Sequence, residues 1–118
     1  MIDVIKISEL IQAKNKELDD IRKVLIERSN ARDEAEKEYN KKYAVVLIQL
    51  KNKVEFEFEG IKIKEPPAAS VKEIAKGICF NEKFNLDKAE SMLKIAYKNI
   101  ETCIAQQTAN QSLLKYME

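Results

Sequence analysis

The stretch ISELIQAKNKELDDIRKVLIERSNARDEAEKEYNKKYAVVLIQL (Ile7–Leu50) contains neither Gly nor Pro and consists mostly of good helix formers. It predicts one long helix over about 7–50. Its apolar residues recur alternately three and four positions apart, as in a helix that packs along another helix. The predicted seam residues are Val4, Ile7, Ile11, Lys14, Leu18, Ile21, Leu25, Arg28, Arg32, Ala35, Tyr39, Lys42 and Val46.

Arg28 and Arg32 interrupt this apolar seam in its middle. Three interpretations are open. The arginines reach carboxylates of a partner, or they mark where the helix is no longer covered, or their stems lie along the seam while their charged ends stay in water.

After this helix the hydrophobic period changes to two, in VEFEFEGIKIK (Val54–Lys64). The pattern predicts a β-hairpin over about 54–64 with Glu59-Gly60 as its two-residue turn. The residues paired across it would be Phe58 with Ile61, Phe56 with Ile63, Glu57 with Lys62, and Glu55 with Lys64. A slip by one residue would disrupt both faces, so the pattern specifies the register. A lone hairpin is marginal in water, so its apolar face must lie on the helices or extend a sheet with another copy.

Two further helices are predicted after Pro66-Pro67. Ser70 and Glu73 have the S-x-x-E spacing of a capping box, which predicts a short helix over about 71–80. A polar break over 81–85, with Asn85 as N-cap, then precedes a long helix over about 86–116. Its seam residues are Ala89, Leu93, Ala96, Ile100, Cys103, Gln107, Asn110, Leu114 and Met117.

The final helix contains an uncharged stretch, CIAQQTANQSLL (Cys103–Leu114), in a chain that is 35% charged. Such a stretch is typical of a helix buried on several sides, and polar residues on a seam can set register and oligomer number. The alternative is a polar, frayed helix end. The predicted oligomer interface comprises Leu93, Ile100, Cys103, Gln107, Asn110 and Leu114.

Helix lengths also favour self-association. At 1.5 Å per residue the long helices would measure about 66 Å and about 47 Å, which leaves about 20 Å of the first uncovered. We therefore expect a mainly α fold in a single domain over 1–118: an elongated antiparallel helical hairpin with two long helices, one short helix and a small β-hairpin, assembled as a homo-oligomer.

The composition argues against an enzyme. The chain has no His, the usual general base and metal ligand, and its two glycines cannot form a phosphate-binding loop. Cys79 and Cys103 alone cannot form a four-ligand zinc site. Glu34, Glu36 and Glu38 are clustered, but positions two apart on a helix point away from each other. We expect no catalytic residue, no metal and no cofactor.

No membrane segment is expected either. The longest apolar run, Ala44–Ile48, is far shorter than the roughly 20 residues that span a bilayer. The start of the chain lacks a basic region followed by an apolar stretch. We expect a cytoplasmic protein, in the host cytoplasm if the chain is phage-encoded.

The 21 Lys and Arg residues nearly balance the 20 Asp and Glu residues, which excludes a DNA mimic and a uniformly basic coat. Lysines nevertheless gather near the hairpin, where they could hold a phosphate backbone, with Tyr39, Tyr43, Phe56 and Phe58 offering stacking surfaces. The alternative is that they pair with neighbouring glutamates. The candidate nucleic-acid-binding residues are Lys37, Lys41, Lys42, Lys51, Lys53, Lys62 and Lys64.

Three segments follow one another in a suggestive order: KEYNKKYAVVLIQLKNK (Lys37–Lys53), ASVKEIAKGICF (Ala69–Phe80) and KAESMLKIAYKNIETCIAQQTANQSLLKYME (Lys88–Glu118). This layout resembles the small recombination mediator proteins of bacteriophages, of the UvsY type. It is also similar to many small coiled-coil proteins of phages of low-GC bacteria. The mediator resemblance implies a ring-like homo-oligomer that binds single-stranded DNA, contacts the single-strand-binding protein and helps to load a recombinase.

Two functions are therefore expected. The first is a non-catalytic accessory protein of phage DNA recombination or replication, which binds single-stranded DNA with salt-sensitive affinity. The second is a protein-binding module, such as a phage inhibitor of a host defence complex or an oligomeric scaffold, which docks through the first helix or the hairpin edge.

Overall fold

The structure is a computed structural model that describes residues 3–117. Helix α1 is Val4–Lys51, strands β1 and β2 are Phe56–Phe58 and Ile61–Ile63, helix α2 is Val71–Ile78, and helix α3 is Phe80–Met117. A single 3-10 turn, Ala68–Ser70, precedes α2. The predicted fold, mainly α with two long helices, one short helix and a small β-hairpin, is confirmed.

The chain packs as two units that share both long helices. Unit 1 comprises the residues up to Asn30 together with those from Ser91 onward, and unit 2 is Ala31–Glu90. The single domain expected from the chain length stays a prediction.

The two heptad seams are confirmed as the covered faces of α1 and α3. From Ile7 to Val46, and from Ala89 to Met117, every predicted seam residue is buried or half-buried, whereas Val4 is exposed. In unit 1 the helices are antiparallel, since Gln107 contacts Ile11 and Arg28 contacts Met92. Apolar residues that recur every three or four positions thus bury one stripe of each helix.

The two seam arginines differ in their contacts. In unit 1, Arg28 Nη1 lies 3.9 Å from the Met92 sulfur. In unit 2, Arg32 lies 2.6 Å from Glu36 and 3.5 Å from Glu90 of α3. Of the three interpretations, Arg32 therefore matches the one in which the side chain reaches carboxylates, but these belong to its own chain.

The core of unit 2 covers the last turns of α1. Val46 and Leu50 pack with Val71, Ala75, Ile78 and Cys79, and the apolar face of the hairpin lies on this cluster. The expectation that this end of α1 is left uncovered by its own chain is therefore wrong for Val46 and Leu50. The face of α1 that carries Val46 and Leu50 is covered by α2 and the hairpin of the same chain.

The hairpin has the predicted register, with Phe56 opposite Ile63, Glu57 opposite Lys62, and Phe58 opposite Ile61. Its strands are shorter than the predicted 54–64 span. Glu59 and Gly60 both have positive φ, +49° and +78°, as a type I′ turn requires.

The predicted start of the short helix at residue 71 is confirmed, whereas its predicted cap and the predicted start of the last helix are wrong. The Ser70 side chain makes no capping hydrogen bond, because Ser70 belongs to the 3-10 turn. The predicted polar break over 81–85, with Asn85 as N-cap, lies inside α3, and only Cys79 separates α2 from α3. Polar residues without Gly or Pro do not end a helix when tertiary contacts hold it. Here Phe80 packs edge-on against Phe58, and Leu86 is buried.

The predicted oligomer interface stays a prediction, and its residues already have a partner within the chain. Ile100, Cys103, Gln107, Asn110 and Leu114 lie on the covered face of α3, as does Leu93. Cys103 and Gln107 contact the backbone of α1 in unit 1, at Lys14 and Ile11. Burial of this seam is thus explained by the chain's own α1, without a second chain.

Candidate nucleic-acid interface

The end of α1 positions two of the candidate lysines, Lys51 and Lys53. Lys51 is the last helical residue, and Lys53 has a φ of +60°. Val54 N–H donates to the Gln49 carbonyl and Lys53 N–H to the Leu50 carbonyl. This pattern is a Schellman motif, in which a left-handed residue after the helix satisfies its last carbonyls. The motif turns the chain away from α1 and leaves both lysines exposed.

The hairpin positions the other two lysines of this region. Lys64 Nζ lies 3.9 Å from Glu55, a loose contact between two largely exposed side chains. Lys62 is exposed and lies opposite Glu57 across the hairpin. Surface pairs of this kind contribute little to stability and leave their charges accessible to a ligand.

Three of these lysines come together in unit 2. Lys51 and Lys53 line a shallow depression with Glu65, and Lys53 and Lys64 line a neighbouring one with Glu55 and Glu65. We call Lys51, Lys53 and Lys64 the lysine cluster. Its three positive charges are interleaved with two glutamates, so it can attract phosphates only with modest strength.

Three candidate lysines lie on α1 outside the lysine cluster. Lys37 and Lys41 are exposed on the outer side of the helix. Lys42 lies on the covered side, and its Nζ donates to Glu82 at 2.8 Å. This hydrogen bond lowers the pKa of Glu82, against a smaller opposing effect of burial. The assignment of Lys42 to nucleic-acid binding is therefore not supported, because its charge is engaged within the chain.

The aromatic residues predicted to stack on bases are occupied by packing. Tyr39 and Tyr43 stack on each other with centroids 6.0 Å apart, and both pack on the unit 2 core. Phe56 and Phe58 lie on the same core. These four rings are half-buried and are poor platforms for bases.

Two exposed aromatic rings of unit 2 are not among the residues predicted from the sequence. Phe80 and Phe84 are 46% and 65% exposed, one helical turn apart on α3. Phe80 contacts Phe58, which pairs with the exposed Ile61. We call Phe58, Ile61, Phe80 and Phe84 the apolar patch. In the sequence, Phe80 and Phe84 have the i, i+4 spacing of neighbours on one helix face. The predicted break over 81–85 placed them on different elements, so this spacing did not indicate a shared surface.

Within residues 3–117, no three His, Cys, Asp or Glu side chains gather in a way that could hold a metal ion. Cys79 and Cys103 are buried free thiols. Burial raises the pKa of the Cys79 thiol, and the nearby Lys42 opposes this only in part. The thiol therefore stays protonated and is a poor nucleophile. No helix in the described part of the chain is both long enough and apolar enough to cross a bilayer.

No family model, no curated protein and no solved structure matches this chain.

Proposed function

We propose that this chain is a non-catalytic accessory protein of DNA recombination or replication that binds single-stranded DNA through the lysine cluster. The observation that carries the proposal is that Lys51, Lys53 and Lys64 are exposed and line adjoining depressions in unit 2. The stretch 43–54 contains Lys51 and Lys53 and no acidic residue, so the end of α1 brings positive charge to this end of unit 2. The layout resemblance to phage recombination mediators supports the same assignment.

The geometry predicts how such binding would behave. The rings near the lysines are packed on the core, so contacts would go to phosphates and not to bases. Binding would be independent of sequence and would weaken steeply with salt. For three phosphates on a single strand, log affinity would fall with log salt concentration with a slope of about −2.

The test is fluorescence anisotropy of a labelled oligothymidine at low and high salt. The triple variant Lys51→Gln, Lys53→Gln, Lys64→Gln should lose about tenfold or more in low-salt affinity, and its salt slope should approach zero. The matched control replaces Lys6, Lys16 and Lys23, three exposed lysines of unit 1, by Gln. It removes the same charge elsewhere, so an equal loss in the control would refute a localised site.

A second candidate function, a protein-binding module, is favoured by the apolar patch. Phe84 and Ile61 are 65% and 67% exposed beside a packed aromatic pair, and exposed apolar clusters of this kind mark interaction sites. This candidate requires that the wild-type chain binds no DNA at low salt. It also requires a protein partner that binds the wild-type chain and no longer binds Phe84→Ser. The control is Tyr97→Ser, which replaces a half-exposed aromatic residue of unit 1 and should still bind that partner.

A further inference from the structure

Helix α1 carries a second heptad row in unit 2, whose side chains stay exposed in the described chain. Its members are spaced alternately three and four positions apart, and all are exposed: Ala31, Glu34, Glu38, Lys41, Val45 and Ile48, with Asn52 one residue beyond the end of the helix. We call them the outer row. Val45 and Ile48 are 47% and 58% exposed, although such apolar residues at this spacing typically face another helix.

The other half of the outer row borders a groove. Ala31 and Ala35 form its small-residue part, flanked on α1 by Glu34 and Glu38 and on α3 by Glu82 and Asn85, and it encloses about 350 Å³. Alanines on a helix surface leave room for a bulky side chain from an opposing helix. The surrounding glutamates favour a partner that brings positive charge beside that apolar side chain.

The outer row itself supplies such a partner. When two copies of α1 are aligned antiparallel about a point between Glu38 and Lys41, Lys41 of each copy lies opposite Glu38 of the other. In the same alignment Ile48 lies opposite Ala31, and Val45 lies opposite Glu34. A twofold axis makes each of these contacts twice. A parallel alignment would place Glu38 on Glu38 and Lys41 on Lys41, so the charges select the antiparallel arrangement.

We infer that the outer row of α1 is the interface of an antiparallel homodimer, in which Ile48 of each copy enters the alanine groove of the other and Lys41 pairs with Glu38 across the twofold axis. This interface differs from the α3 seam predicted from sequence, which α1 of the same chain covers. It does not depend on DNA binding, because the lysine cluster lies outside the outer row.

The test is sedimentation equilibrium of the full chain across a range of concentrations. The wild type should sediment as a dimer. Lys41→Glu and Glu38→Lys should each weaken the dimer by about tenfold or more, because each change creates two like-charge contacts. The double variant, which swaps the two charges, should return to within about threefold of the wild type.

An uncharged variant provides the second arm. Ile48→Ser should weaken the dimer by at least about tenfold, because two buried isoleucines are lost per dimer. Ile95→Ser, which removes an equally exposed isoleucine (60%) from α3, should have no effect. A monomeric wild type would overturn the inference, as would a charge-swapped double variant no tighter than the single variants. The inference would also be overturned if the mass of the assembly were unchanged in both Ile48→Ser and Lys41→Glu.

Discussion

At the scale of single residues, Gln107 fixes how α1 and α3 pair in unit 1. Its Nε2 donates to the Ile11 carbonyl at 3.0 Å and to Asn15 Oδ1 at 2.5 Å. These bonds can form in only one alignment of the helices, so the residue specifies register. Its Oε1 is buried and has no hydrogen-bond partner among residues 3–117, and an unsatisfied buried acceptor is destabilising. Register is thus obtained at some loss of stability.

Gln107→Leu should therefore raise the free energy of unfolding, by about 1 kcal/mol. Leucine fills a similar volume and removes the unpaired carbonyl, while the exposed Asn15 can turn to water. Urea unfolding followed by circular dichroism, at one fixed protein concentration, measures the change. Gln111→Leu, at an exposed position of α3, is the matched control and should change stability by less than about 0.5 kcal/mol. A loss of stability in Gln107→Leu would mean that the amide bonds outweigh the unsatisfied acceptor.

At the scale of elements, the backbone is strained just after the end of α1, at Lys53, where Gly would relieve the strain. Lys53 occupies the left-handed position of the Schellman motif, where Gly is the usual residue. Lys53→Gly should raise the free energy of unfolding by about 1 kcal/mol, because Gly adopts positive φ without steric cost. Lys51→Gly, at the last residue of the helix, should lower it by up to about 1 kcal/mol, because Gly is a poor helix former. Thermal unfolding of the two variants distinguishes these outcomes, and equal destabilisation would contradict the role of the motif.

The sequence predicts elements better than it predicts their partners. Heptad spacing identifies the covered face of each long helix, and period-two alternation identifies the hairpin register, because both depend on neighbours in sequence. Spacing does not say which surface covers a face. The α3 seam was therefore predicted to face other chains, and the packing of α2 over Val46 and Leu50 was not predicted. The polar composition of 81–85 predicted a break because tertiary contacts that hold a helix together leave no local signal.

The same limit applies to the candidate site. The lysines near the hairpin were identified from the sequence, because charge can be counted directly. That Lys42 is engaged by Glu82 was not predicted, since the two residues are 40 positions apart in sequence. The packing of Tyr39 and Tyr43 could be predicted in part from the sequence, because Tyr39 belongs to the α1 seam. A covered seam residue cannot also be a free stacking platform, so its place on the seam already argues against a role in stacking on bases.

At the scale of the whole molecule, the homodimer and the lysine cluster have a joint consequence for DNA length. A dimer carries two lysine clusters, and a strand long enough to reach both binds the second at a high effective concentration. Wild-type affinity should therefore be about tenfold or more higher for an oligothymidine of about 40 nucleotides than for one of about 8. This increase comes in addition to the one expected because a longer strand offers more places to bind. Ile48→Ser should bind the short strand as the wild type does, because it removes no charge from the lysine cluster, and should lose the extra gain on the long one. Anisotropy titrations of both proteins at one salt concentration measure this, with Ile95→Ser as the control that retains the length dependence. If Ile48→Ser weakened binding to both strands equally, the isoleucine would belong to the DNA site itself. If Ile48→Ser abolished the dimer and left the affinities for both strands unchanged, the two lysine clusters of a dimer would not bind the same strand.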